Sequence, residues 1–300
     1  MFRSSKKNKF ESAVIISIFI LVITLIVYYV CNALNLGNLS IVIALIFSIA
    51  SAWGSYYYSD KIVLASCSAR PATKEEDLKL VNILEALMVT AGLPKKPDLY
   101  VVDDPQPNAF ATGRNPEHAV ICVTTGLLEK LDYYELEGVI AHEMSHIKNY
   151  DILLSAVVSV FVGFIVMISD IFARALFWGG TRDRDSDSKA NGILMLVGLV
   201  FLILSPIFGT LMQLALSRKR EFLADSTAVE FTRNPEGLIS ALEKLDSDPN
   251  ELQTANSATA NMYIVSPFRK NGEKGKKKSS SIWSTHPSTE DRINALRTLM

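Results

Sequence analysis

The chain has 300 residues, 49% hydrophobic and only 20% charged, with 30 basic side chains against 31 acidic ones. That apolar content excludes an intrinsically disordered chain, and the balanced charge offers no footprint for a nucleic-acid partner. The average conceals a partition: no Asp, Glu, Lys or Arg occurs in 12–59, 152–169 or 190–217. The charge is therefore confined to the rest of the chain, as in a water-soluble domain joined to membrane segments.

In chain order, the first charge-free run holds two apolar stretches long enough to span a bilayer, Ala13 to Val30 and Leu39 to Tyr58. Asn32, Asn35, Gly37 and Asn38 mark a polar turn between them. Trp53, Tyr56, Tyr57 and Tyr58 fit an interfacial aromatic belt. The first run is too long for a signal peptide, and no small-residue cleavage pattern follows it. A third candidate runs from Ile152 to about Phe172 and a fourth from Ile193 to Leu216, with Pro206 as a kink. The alternative for these two is a buried hairpin of a soluble domain. Arg3, Lys6, Lys7 and Lys9 precede the first span, and Arg218, Lys219 and Arg220 follow the fourth. The positive-inside rule then puts both termini and the soluble part in the cytoplasm.

The soluble part predicts a helix over Thr73 to Ala91, with an acidic first turn and a stop at Gly92 and Pro94. Short strands are expected at Asp98 to Val102, Asn108 to Thr112 and Ala119 to Thr124, the last two joined by the Gly113–Pro116 turn. Helices follow at Thr125 to Leu131 and Tyr133 to Asn149, then at Arg218 to Phe231, at Pro235 to Leu245 behind Asn234 as cap, and at Asp291 to Leu299. Arg269 to Ser280 is rich in Lys, Gly and Ser and reads as a mobile loop. The class is α+β, mainly helical, with a small antiparallel sheet and about four transmembrane helices. Cys31, Cys67 and Cys122 lack metal-ligand spacing and read as structural thiols, Cys31 at the outer end of the first span and Cys67 and Cys122 cytoplasmic and hence reduced.

The sharpest chemical signal is His142-Glu143-Met144-Ser145-His146. Residues four apart share a helix face, so both imidazoles can hold one cation, with Glu143 beside it as general base. Zinc lowers the pKa of a bound water toward ~7, which makes such a base useful at neutral pH. The bland alternative is a pair of surface histidines, but the chain has only four histidines and two fall in this pattern. A third protein ligand is required. The chain enters an apolar run after Asp151, so a third His close behind the motif is excluded. Glu221, directly after the fourth apolar segment, is the best candidate, and Asp225 lies one helical turn on, placed to orient a ligand His. Without the first motif the pair reads as an ordinary charged helix face.

Taken in order, these segments resemble the HtpX-type membrane metallopeptidases, grouped with the CAAX prenyl proteases in one gluzincin superfamily. The resemblance covers the two early spans, Asn-Ala-Phe-Ala-Thr-Gly at 108–113, His142 to His146, Ser-Arg-Lys-Arg-Glu-Phe-Leu-Ala-Asp at 217–225, and Ser-Thr-His-Pro at 284–287 with Arg292 after it. It implies a gluzincin-type domain holding one Zn2+ per chain on His142, His146 and Glu221, with Glu143 as base. It further implies that Asn108, Ala109, Phe110 and Ala111 form an edge strand that pairs with an extended substrate, and that His286 stabilises the oxyanion. Arg292 reads as structural. The basic stretch from Lys274 to Lys278 departs from the family pattern.

The implied organisation is an N-terminal membrane hairpin (1–60), a first catalytic part (61–151), an inserted apolar hairpin (152–216) and a second catalytic part (217–300). The implied activity is endopeptidase cleavage of membrane or misfolded proteins in quality control, at a bacterial cytoplasmic (inner) membrane with the catalytic part facing the cytoplasm. The partners are then protein substrates and the lipid bilayer. The rivals are a CAAX prenyl protease-like processing peptidase, which would carry more spans, and a non-catalytic membrane protein with a structural zinc, which would leave Glu143 without purpose.

Overall fold

The computed structural model describes residues 2–33, 37, 39–161, 163, 218–250, 252, 259, 262–265 and 287–300. Its fold is mainly helical around one small mixed sheet. Helix α1 (Phe2–Ala33) and α2 (Leu39–Ser66) are long and apolar enough to cross a membrane. They pack on each other through small residues. Ser40, Ala44, Ser48 and Ala52 repeat every four positions along the buried stripe of α2, and the Thr24 and Ser48 hydroxyls share a 2.7 Å hydrogen bond. Small side chains let apolar helices approach closely where lipid supplies no hydrophobic drive between them. The outer faces expose Leu21, Leu25, Ile41, Ile46, Phe47 and Ile49, an apolar surface suited to lipid rather than water.

A two-residue strand β1 (Arg70–Pro71) leads into α3 (Lys74–Ala91). The start of α3 is a capping box between Thr73 and Glu76, and its end is Gly92 in the left-handed region. Strands β2 (Asp98–Val102), β3 (Ala109–Gly113) and β4 (Ala119–Thr124) complete a sheet of order β1-β2-β4-β3. β3 pairs antiparallel with β4, as the turn between them requires, but β2 runs parallel to β4. The expectation of an antiparallel sheet is therefore corrected to a mixed one. The cause is the link 103–108, which carries the chain across the end of β4 and is fixed there by side chains: Thr125 Oγ1 donates to Asp104 O at 3.0 Å and Thr124 Oγ1 to Gln106 O at 2.7 Å. β4 thereby occupies the centre, where its apolar run is buried on both faces.

α4 (Thr125–Lys130) follows, then α5 (Tyr133–Lys148), which carries the His-Glu-x-x-His motif. Asp132 caps α5 in a second capping box with Glu135, and Glu135 also accepts from Ser240 and Lys244. After α5 the chain turns through Tyr150 at φ 62° into α6 (Asp151–Phe161). α7 (Arg218–Thr232), α8 (Pro235–Ser247) and α9 (Thr289–Arg297) close the description. Gly138 in α5 lets α8 approach closely: a Cβ there would stand 2.8 Å from the Leu238 backbone nitrogen. One core joins α3, the sheet, α5, α7, α8 and α9, and a second joins α1 to α6 through Ile15, Phe19, Leu154, Val157 and Phe161.

The three cysteines are free and buried. Of the third apolar segment only the helical beginning is described. The fourth segment, the basic loop around 269–280 and His286 lie outside the described residues.

Candidate metal centre

α5 is buried along most of its length, and His142 and His146 project from the same side of it. Their Nε2 atoms stand 3.2 Å apart. The first turn of α7 brings the Glu221 carboxylate to both, Oε2 at 3.8 Å from His142 Nε2 and Oε1 at 3.8 Å from His146 Nε2. Ligand atoms on a tetrahedral zinc, at the usual Zn–N distance, are separated by about 3.4 Å. Two imidazole nitrogens and one carboxylate oxygen, within 4.8 Å of one another, are thus a donor set of the right chemistry and span for one such cation.

Both rings are oriented from behind. His142 Nδ1 lies 2.9 Å from Asp225 Oδ1, and His146 Nδ1 lies 3.0 Å from Asp151 Oδ2. A carboxylate at Nδ1 accepts a hydrogen bond from the ring N–H, which holds the proton there and leaves the Nε2 lone pair for a metal. Arg292 grips Asp225 with two bonds, Nε to Oδ2 at 2.8 Å and Nη2 to Oδ1 at 2.6 Å, and donates to Ile264 O at 3.0 Å. Burial alone would raise the Asp225 carboxyl, but this guanidinium outweighs it and holds the group below its ordinary range. Burial lowers His142, with the Arg292 charge acting the same way. For His146 burial also opposes the charged form, yet the Asp151 hydrogen bond and the nearby carboxylates carry it up to about 9.

Glu143 is 2% exposed on the neighbouring face of α5. Burial pushes its carboxyl up to about 7, against the pull of nearby cations, and the Ala111 backbone N–H donates to it. β3 is the outermost strand of the sheet and passes beside α5. Asn108 lies just before it, with its carbonyl bound to Thr124 N–H, so the backbone groups of Ala109 and Ala111 face away from β4. Part of that outer edge is engaged within the chain. Ile264 N–H donates to Ala109 O at 2.9 Å, and Asn108 Nδ2 donates to Val265 O at 2.9 Å. Phe110 points to the other face, against Tyr263.

Of the residues singled out in the sequence, the structure brings His142, Glu143, His146, Glu221, Asp225 and Ala111 together. His118 is remote, bonded to Asn115 in the β3–β4 turn. Asp151 escaped sequence reasoning, since it reads as the last charge before an apolar run, whereas Arg292 reads as structural with nothing to announce its partner Asp225. The only signal for Asp151 was its position five residues past His146, beyond a helix end.

Residues 74–300 match the model of peptidase family M48. The chain belongs to that family and is a membrane-associated metallopeptidase. Its relatives include a protease HtpX homolog of Caldanaerobacter subterraneus subsp. tengcongensis, 42% identical over 301 residues, covering 100% of this chain and 98% of the relative. Another, from Dictyoglomus thermophilum, is 44% identical over 296 residues, 99% of this chain and 94% of that one. The resemblance to HtpX-type peptidases is thereby confirmed over the whole length. Among solved structures, the crystal structure of S. mikatae Ste24p aligns with a TM-score of 0.49 at 16% identity, covering 99% of this chain and 66% of that one.

Proposed function

We propose that this metallopeptidase is a zinc-dependent endopeptidase of the gluzincin type, with His142, His146 and Glu221 holding the metal and Glu143 as general base. The observation that carries the reading is the buried Glu143 carboxylate beside a His-His-Glu donor set whose two imidazoles are each fixed by a carboxylate. A zinc ion there would lower the pKa of water and polarise the scissile carbonyl. Glu143 takes the proton of the attacking water and later delivers it to the leaving amine, a role suited to a carboxyl poised near neutrality. The substrate backbone pairs with the outer edge of β3 (Asn108 to Ala111 and onward) at the groups not already engaged, since Ala109 O accepts from Ile264 and Ala111 N–H donates to Glu143. His286 is the proposed oxyanion donor on the strength of the family resemblance.

The substrates are membrane or misfolded proteins, reached from the cytoplasmic face of a bacterial inner membrane. Support comes from the basic start of α1 and from Lys9, whose ammonium lies 3.9 Å from the Tyr150 ring centroid at the end of the motif helix. The metal centre and the basic residues thus share one end of the first span, the end that the positive-inside rule leaves in the cytoplasm. The division into 1–60, 61–151, 152–216 and 217–300, with 152–216 as a second membrane hairpin, belongs to the same reading.

The test is Glu143→Gln in the detergent-solubilised full chain. Zinc content measured by atomic absorption should remain at one per chain, while cleavage of an unfolded protein substrate such as casein should fall by at least 10²-fold. A variant that still cleaves at the wild-type rate would remove Glu143 from the mechanism.

A further inference from the structure

The two imidazole-orienting carboxylates are themselves oriented, and from opposite ends of the chain. Asp225 is gripped by Arg292 of α9. Asp151 is gripped by Asn8 of α1, whose amide nitrogen donates to Asp151 Oδ1 at 2.6 Å and to Asn149 O at 2.9 Å. An amide group has two N–H donors, and here both are used on one turn, on either side of Tyr150. That turn carries the left-handed kink which swings Asp151 back to His146. Asn8 is 2% exposed, although it precedes an apolar span by only a few residues and would be solvated on a free helix end.

The face of α1 that holds Asn8 is continuous. Ser12, Ile15, Phe19 and Ile23 follow at helical spacing and are all buried. The apolar part packs on α6, with the Phe19 and Phe161 rings 3.8 Å apart. The polar part reaches the turn from which α6 begins. Simple docking of a membrane helix would need only the apolar part. A buried amide with both hydrogens committed to the support of a metal-facing imidazole serves the ring instead.

We infer that Asn8 is a positioning residue for the metal centre, acting through Asp151 on His146, so that the seating of the first membrane helix sets the geometry of one metal ligand. This rests on the proposed ligand role of His146. Fixing both oxygens of Asp151 fixes the plane in which the His146 ring can turn. Losing the Asn8 bond leaves Asp151 Oδ1 only the longer Arg220 Nε contact at 3.8 Å, and the ring gains a rotation that the metal must then restrict.

The experiment measures zinc dissociation constants by competition with a chromophoric chelator, together with the visible spectrum of the cobalt-loaded protein, on the full chain in detergent. Outer residues of metal sites typically contribute about 10- to 100-fold in affinity. Asp151→Ala should show a loss in that range, and Asn8→Leu, which keeps volume but removes the donor, a loss of about 3- to 10-fold with an altered cobalt spectrum. In the Asp151→Ala background Asn8→Leu should add nothing. Phe19→Ala, which loosens α1 without touching the turn, should lower the melting temperature yet leave zinc affinity within about twofold. Asn8→Ala is measured in parallel with the same expectations, so that a misfolded Leu variant does not end the test. An unchanged affinity and spectrum in a folded Asn8 variant would overturn the proposal. So would an Asn8 effect that persists without Asp151, or a Phe19→Ala loss as large as that of Asn8→Leu. If His146→Ala binds zinc like the wild type, the ligand assignment itself fails and the proposal with it.

Discussion

Arg292 is the residue whose environment most constrains its substitution. It is 2% exposed and makes a bidentate pair with the equally buried Asp225. Replacing a buried pair wholesale can be neutral, but removing one partner strands the other charge. Arg292→Leu should therefore cost about 3–5 kcal/mol in urea unfolding of the solubilised protein, because the buried Asp225 loses its guanidinium and keeps only the His142 hydrogen bond. It should also weaken zinc binding, because Asp225 would no longer be held against His142. Arg292→Lys restores a charge but not the fork, so its defect in metal affinity should lie between the two. Equal stability in Arg292→Leu and wild type would show that the pair contributes nothing. Local spacing explains what was legible here. His142, Glu143 and His146 are fixed relative to one another by a single helix, and Glu221 and Asp225 by another, so their grouping could be read from intervals of one and four. Asn8, Asp151 and Arg292 join the centre only through tertiary contacts between residues up to 150 positions apart, which no interval announces.

At the scale of elements, the local signals placed the ends of the soluble helices within a few residues, while α1 and α2 run on past their apolar stretches, α1 beginning at Phe2 and α2 ending at Ser66. α9 begins at Thr289 rather than Asp291, because Ser288 caps it. The short strand β1 and the sheet order were not legible, since both depend on which residues clasp across the turns. Arg70 shows the dependence. It bonds Glu76, the third-position partner of Thr73 in the α3 capping box, and Asp103, just past the end of β2, and so ties β1 to both. The Arg70 hydrogen bond pulls the Glu76 carboxyl from its ordinary 4.5 down to about 2, and Asp103 is lowered by the same partner. A carboxyl held low in the folded state contributes stability above its ordinary value and loses it as the pH falls through the folded one. Arg70→Met should thus melt below wild type at pH 5.5, and the gap should close as the pH drops from about 4.5 toward 2. Thermal unfolding followed by circular dichroism at a series of pH values reads this directly. A gap that is constant with pH would mean that Arg70 acts by packing alone.

At the scale of the whole molecule, the proposed metal centre is where distant parts of the chain meet. α5 and α7 supply the His-His-Glu group, α9 supports one imidazole, and α1 with the start of α6 supports the other. Among the described residues, Arg292 faces Glu221 and Asp225 and Arg220 faces Asp151, and the proposed cation would add to the neutralisation of these carboxylates. A ligand bound only by the folded state stabilises it in proportion to the logarithm of its excess over the dissociation constant, about 2.7 kcal/mol at a hundredfold excess. For a domain of this size that is a melting shift of about 5–10 °C. Chelation of the full chain should lower the melting temperature by that amount, and zinc should restore it. The response separates structure from chemistry when variants are compared. Glu143→Gln, which keeps the donors, should show the full shift while remaining inactive. His146→Ala and Glu221→Ala should start near the chelated wild type and respond weakly to zinc. If chelation left the wild-type melting temperature unchanged while abolishing cleavage, the halves of the domain would be held together by their shared core alone, and the metal would serve the reaction without bracing the fold.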